Sequence, residues 1–117
     1  MGWDPDDSCG VNVAFAVFGS KWKPTLMWLL SEGPRRFAEL RRGAGPISEK
    51  VLTEQLRELQ RDGIVVRRER PGFPLHVEYA LTDRGAALDR ALGPVAQWGD
   101  ENLEHLRAAR SDRPAAG

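Results

Sequence analysis

ISEKVLTEQLRELQRDGIVVRRERPGFPLHVEYALT, residues 47–82, carries two hydrophobic periods one after the other. In its first half Leu52, Leu56 and Leu59 fall at i, i+4 and i+7, a single stripe on a helix of 3.6 residues per turn, and that stripe is predicted to face a core. Ser48 can accept from the unpaired N–H groups of a first turn, and Gly63 tolerates the left-handed conformation that helix ends require. The opposite face carries Lys50, Thr53, Glu54, Arg57 and Arg61, donors with long reach. The second half changes period. IVVRRER (64–70) and HVEYALT (76–82) read as strands joined by the turn PGFPL (71–75), with Val77, Tyr79 and Leu81 on one face and His76, Glu78 and Ala80 on the other. A recognition-length helix thus runs directly into a basic β-hairpin.

Upstream, RRFAELRRG (35–43) predicts a short helix with Phe37 and Leu40 inward and Arg35, Arg36, Arg41 and Arg42 outward. GAGP (43–46) makes a tight turn before Ser48, so the two helices form a helix-turn-helix in which the first braces the second. VNVAFAVFG (11–19) is a helix ended by Gly19. Ser20 can cap the next, KWKPTLMWLL, with Pro24 in its first turn, and Trp22, Leu26, Leu29 and Leu30 form its buried stripe. Thr82 caps a last helix over 83–110, with a bend expected at Gly93-Pro94. The predicted class is mainly α with a small β-hairpin (α+β): a winged helix-turn-helix with extra N- and C-terminal helices. Residues 9–110 form one domain, residues 1–8 a disordered acidic lead and residues 111–117 a mobile tail.

At 117 residues and 41% apolar content the chain supports one core. No apolar run approaches the roughly 18 residues that span a bilayer, and the N-terminus lacks the order of a secretion signal, so the expected location is cytoplasmic with no membrane partner. The formal charge is zero but unevenly spread. Residues 1–20 hold three acids and no base, residues 21–76 twelve bases against seven acids, and residues 77–117 five bases against seven acids. A positive middle between acidic ends suits one surface that meets an anion. A last helix of this length exceeds what one small core needs. Its Leu92, Val95, Trp98 and Leu103, with Val11, Phe15 and Phe18 of the first helix, are expected to pack on a second copy in a two-fold dimer; the alternative is that they close the monomer core.

GSKWKPTLMWLL, GPRRFAEL, ISEKVLTEQLRELQRDGIVVR, VEYALTDRG and QWG, in this order, resemble the HxlR-type winged-helix transcriptional regulators of bacteria, relatives of the MarR group. The resemblance covers about residues 9–101. It implies a homodimer, paired through its terminal helices, that binds double-stranded operator DNA with the helix from Ser48 in the major groove and the hairpin wing on the backbone or minor groove. By that resemblance Ile47, Ser48, Glu49 and Lys50 correspond to the start of the recognition helix, and Thr53, Gln55 and Arg57 to its reading face. Arg36 and Phe37 match an Arg-Phe pair, and Arg67 through Glu78 match the wing. Ser20 stands where many members have a second glycine.

Within this frame Arg57 is the candidate for base readout, since a guanidinium donates two parallel bonds to guanine O6 and N7. Ser48 and Lys50 suit phosphates at a helix start. Arg35, Arg36, Arg67, Arg68, Arg70 and His76 are further candidate DNA contacts. Neighbouring strand residues alternate in direction, so at most two of the three wing arginines face a duplex together. Cys9, before the first helix, is read either as a redox sensor, as the resemblance allows, or as a small buried hydrophobe. Phe15, Phe18, Trp22, Trp28 and Trp98 either line a pocket for a flat apolar effector or are plain core. No cofactor, metal site or catalytic set is expected, His105 having no ligand neighbour at suitable spacing. The competing reading keeps the fold but makes it a protein-protein interaction module without DNA binding.

Overall fold

In the computed structural model, which describes Asp4, Asp6 and residues 8–111, the chain runs α1 (Gly10–Phe18), α2 (Lys23–Ser31), α3 (Phe37–Ala44), α4 (Glu49–Arg61), β1 (Val65–Arg70), β2 (His76–Leu81) and α5 (Asp83–Ser111). The expected tail beyond Ser111, and most of the expected lead, lie outside the described residues.

The Ser48 hydroxyl accepts from the Val51 N–H at 3.1 Å and starts α4, while Gly63, at φ +74°, turns the chain out of it. Leu52, Leu56 and Leu59 are fully buried, with Leu26, Met27, Leu30, Leu40, Ile47, Ile64, Val65 and Tyr79 around them. This cluster lies where α2, α3 and α4 meet the hairpin. Strands β1 and β2 pair antiparallel with Val65 opposite Leu81 and Arg70 opposite His76. Thr82 locks the next junction. Its hydroxyl donates to the Gly63 carbonyl at 2.5 Å and accepts from the Gly85 N–H at 3.0 Å, so one side chain joins the end of α4 to the start of α5.

Several local expectations change. Helix α2 begins at Lys23, two residues later than its apolar stripe suggested, although the Ser20 hydroxyl still accepts from the Lys23 N–H at 3.2 Å. Met27 is as buried as Leu26, whereas Trp22 and Leu29 are half-buried. Arg35 is not helical. Its N–H donates to the Tyr79 carbonyl at 2.9 Å and its carbonyl accepts from the Tyr79 N–H at 2.7 Å, a one-residue third strand on the free edge of β2. Because α2, α3 and α5 also contact β2, the strand is covered on both faces, and Glu78 and Ala80 are as buried as Tyr79 rather than facing solvent. Helix α5 continues without interruption through Pro94.

The radius of gyration, 16.5 Å, exceeds the value of about 13 Å that a compact chain of this length would have. The excess is consistent with α5, whose 29 residues extend for about 44 Å, too long for the small core to cover. Along α5 only Gly85 is buried, and no residue of α1 is.

Candidate nucleic-acid interface

Helix α4 sets out the surface. Its buried leucine stripe fixes rotation about the helix axis, leaving Lys50, Glu54, Arg57 and Arg61 exposed and Thr53 half-buried on the far side. Gln55 does not join them. It lies roughly 160° around the helix from Arg57, and its Oε1 accepts from the Ser20 hydroxyl at 3.0 Å. One turn on, Glu58 Oε1 takes the Lys23 ammonium at 3.2 Å; the Lys23 side chain is only 9% exposed. These two bonds fasten α4 to the start of α2. Glu49 is likewise engaged, by Arg41 Nη1 at 2.8 Å, a link across the helix-turn-helix turn.

Carboxylates therefore sort the cations. Arg35 is held by Glu32 at 3.3 Å, Arg41 by Glu49 and Arg67 by Glu69. Among the described residues Arg36, Arg42, Lys50, Arg57, Arg61 and Arg68 have no such partner, and all six are exposed. Six free guanidinium and ammonium groups on α3, its lead, α4 and β1 leave a cationic surface that an acidic partner would neutralise.

The hairpin adds a second arrangement. The hydrogen bond from Glu69, then one from Tyr79, raises the Arg67 guanidinium further above its ordinary range. On the other face Glu78, 8% exposed, is set between two bases. His76 Nε2 lies 3.2 Å from its Oε2, and Arg70 Nη2 lies 3.1 Å from its Oε1, off the line of a hydrogen bond. The hydrogen bond with His76 holds the Glu78 carboxyl below its ordinary range; burial opposes this, and the charges of Arg70, His76 and Arg68 reinforce it. Of the three wing arginines only Arg68 is without a carboxylate within 4 Å.

A second surface is apolar. Val11 is 76% exposed, and Phe15, Val95 and Trp98 between 57 and 59%. Leu103 is exposed less. Phe18 and Leu92, expected with them, are half-buried against the core, Phe18 also meeting the Phe15 ring edge-on at 5.8 Å. Of the aromatic group considered for a pocket, Trp28 is exposed and Trp22 carries the Lys21 ammonium over its ring at 4.9 Å. Cys9 is an exposed free thiol at the N-cap of α1. Among the described residues no cluster of His, Cys, Asp and Glu could hold a metal ion, and no helix is long and apolar enough to cross a membrane.

The pair of helices α3 and α4 across a tight turn, followed by a two-stranded wing, is the architecture of winged helix-turn-helix transcriptional regulators. The family model described as HxlR-like helix-turn-helix matches residues 17–107, and the chain belongs to that family. It is 39% identical over 106 residues to the HTH-type transcriptional regulator YybR of Bacillus subtilis, covering 91% of this chain and 85% of that one. Among solved structures, the redox regulator HypR in its reduced form is similar at a TM-score of 0.79 and 39% identity, over 84% of this chain and 97% of that one. A regulator of the MarR family from Enterococcus faecalis V583 gives 0.77 and 38%, over 90% and 94%. Transcription regulation through a helix-turn-helix is the function of the family.

The terminal blocks, the α4 face and the wing were thus legible as sites from sequence. The Lys23–Glu58 and Ser20–Gln55 bonds were not, each joining residues 35 apart with no local pattern to mark them.

Proposed function

We propose that the protein binds operator DNA as a homodimer in the cytoplasm and has no enzymatic activity. In this reading α4 enters the major groove, Arg57 reads a base, and Ser48 and Lys50 seat the helix start on phosphate. The observation that carries it is the exposed face of α4, where Lys50, Arg57 and Arg61 have no carboxylate partner while the flanking residues Glu49, Gln55 and Glu58 are occupied within the fold. Arg36 and Arg68 extend the cationic surface to α3 and the wing. Arg70 and His76 join it at the hairpin's end, and Arg35 and Arg67 support it through their own ion pairs.

Val11, Phe15, Val95, Trp98 and Leu103 supply the apolar surface for a second copy, Phe18 and Leu92 anchoring that surface to the core. A two-fold dimer presents its α4 helices to half-sites about 34 Å apart. Cys9 is the candidate for a redox signal, in line with the likeness to HypR, and a small apolar effector between the subunits is a further possibility for the aromatic side chains near them.

The test is a comparison of two variants on duplexes recovered from a randomised pool. Arg57→Ala weakens the selected sequence by about 1–3 kcal/mol and relaxes preference, whereas Arg68→Ala weakens all sequences alike and flattens the salt dependence. Equal losses for Arg57→Ala on selected and random duplexes would remove its reading role.

A further inference from the structure

Phe73 at the tip of the hairpin has a relative exposure of 104%, and Leu75 of 50%. A folded chain normally buries such side chains. The five turn residues, Pro71 through Leu75, contain no charge, yet what surrounds them is cationic. Arg70 and His76 pair directly across the base of the turn, and the Glu78 carboxylate lies beneath both, within 3.1 and 3.2 Å. Glu78 is buried, so its charge is presented to those two bases and hardly to solvent. Glu69 is taken by Arg67, and the Glu39 carboxylate accepts from the Arg36 N–H at 2.9 Å. From the tip an open groove of about 660 Å³ runs to the start of α3, with Leu75, Val77 and Phe37 as its apolar lining and Arg36 and Arg42 as its cations.

An apolar wedge in a basic collar matches one chemistry well. The minor groove of a duplex offers apolar base faces between two rows of phosphates, and side chains such as Phe and Leu enter it by parting a base step. Strand β1 packs against α4, so a duplex seated on α4 has the wing beside it. We propose that Phe73, backed by Leu75, is a minor-groove wedge that unstacks one base step in each half-site, with Arg70 and Arg36 on the flanking phosphates. This rests on the DNA-binding reading above. Pyrimidine–purine steps, which part most easily, are the preferred place of entry.

The full-length protein is tested on duplexes recovered from a randomised pool, with 2-aminopurine substituted in turn at each step and the bend measured by circular-permutation mobility. Wild type raises the fluorescence at one step per half-site and bends the duplex. Phe73→Ala abolishes both signals and weakens binding by about tenfold, the range for losing one base–aromatic contact, while the salt slope stays as it was because no phosphate contact is removed. Phe73→Trp keeps both signals. As the ring touches nothing in the fold, thermal unfolding of the two variants matches wild type. Unchanged fluorescence, bend and affinity in Phe73→Ala overturn the wedge. So does a loss confined to self-association or to sedimentation with anionic vesicles, which would assign the tip to a protein or lipid surface. Failure of wild type to retain any duplex sinks the DNA-binding reading itself; retention with undisturbed stacking sinks the wedge alone.

Discussion

The link between Lys23 and Glu58 is unequal, and the inequality can be measured. The two groups lie 3.2 Å apart, but the Lys23 side chain is 9% exposed and that of Glu58 39%. Removing one partner of a buried pair costs about 3–5 kcal/mol because the other is left charged in a poor solvent. Glu58→Ala strands the ammonium, though water entering where the exposed carboxylate stood reduces the penalty to about 2 kcal/mol. Lys23→Met leaves a carboxylate that water already reaches, keeps the volume of the stem, and removes a cation from the positive end of α2, so its cost stays within about 0.5 kcal/mol. The double variant recovers all but about 0.5 kcal/mol, since nothing is left stranded. For a domain of this size, Glu58→Ala lowers Tm by about 6–10 °C. Urea and thermal unfolding followed by circular dichroism give all three values, at one protein concentration because a dimer's stability depends on it. The reasoning fails if Lys23→Met costs as much as Glu58→Ala, or if the double variant is no better than Glu58→Ala.

Gly85→Ala tests the junction below the wing: an added Cβ would sit 2.1 Å from the Ile64 carbonyl oxygen, so α5 must move, at more than about 2 kcal/mol in urea unfolding. A loss under 0.5 kcal/mol would show that the junction yields easily. Trp98→Glu places a charge on the exposed apolar face of α5 and should halve the mass seen by light scattering while far-ultraviolet dichroism stays intact; an undisturbed dimer would move the interface elsewhere. The carboxyl of Glu78 titrates below its ordinary value of 4.5, so its contribution to stability is complete above that value and is lost as pH falls through the depressed one. Wild type should therefore lose stability faster than Glu78→Gln as pH drops below about 4.5, and parallel urea midpoints for the two would contradict this.

Periodicity and capping chemistry carried most of the fold. Ser48, Gly63 and Thr82 act through bonds within a few residues or at an element's end, so their residue types announce them. Leucines at helical spacing likewise told which way α4 faces. Arg35 was misread because a charged residue beside a helix pattern carries no mark of pairing with Tyr79, 44 positions on. Glu78 and Ala80 were expected in solvent because alternation assumes one covered face, and only the tertiary arrangement of α2, α3 and α5 covers the other. Gln55 was assigned to the reading face by resemblance, although helix geometry alone sets it away from Arg57. The division of the cations into free and engaged ones was beyond any pattern, since each ion pair depends on where a distant or neighbouring carboxylate points.

The claim that the free cations of α4 and the wing meet a polyanion is tested most directly by titrating salt against affinity for a selected duplex. If two to four cations of each protomer reach phosphates, log affinity falls linearly with log salt at a slope of about −4 to −7 for the dimer. A complex indifferent to salt, or no complex with any duplex at low salt, would contradict it.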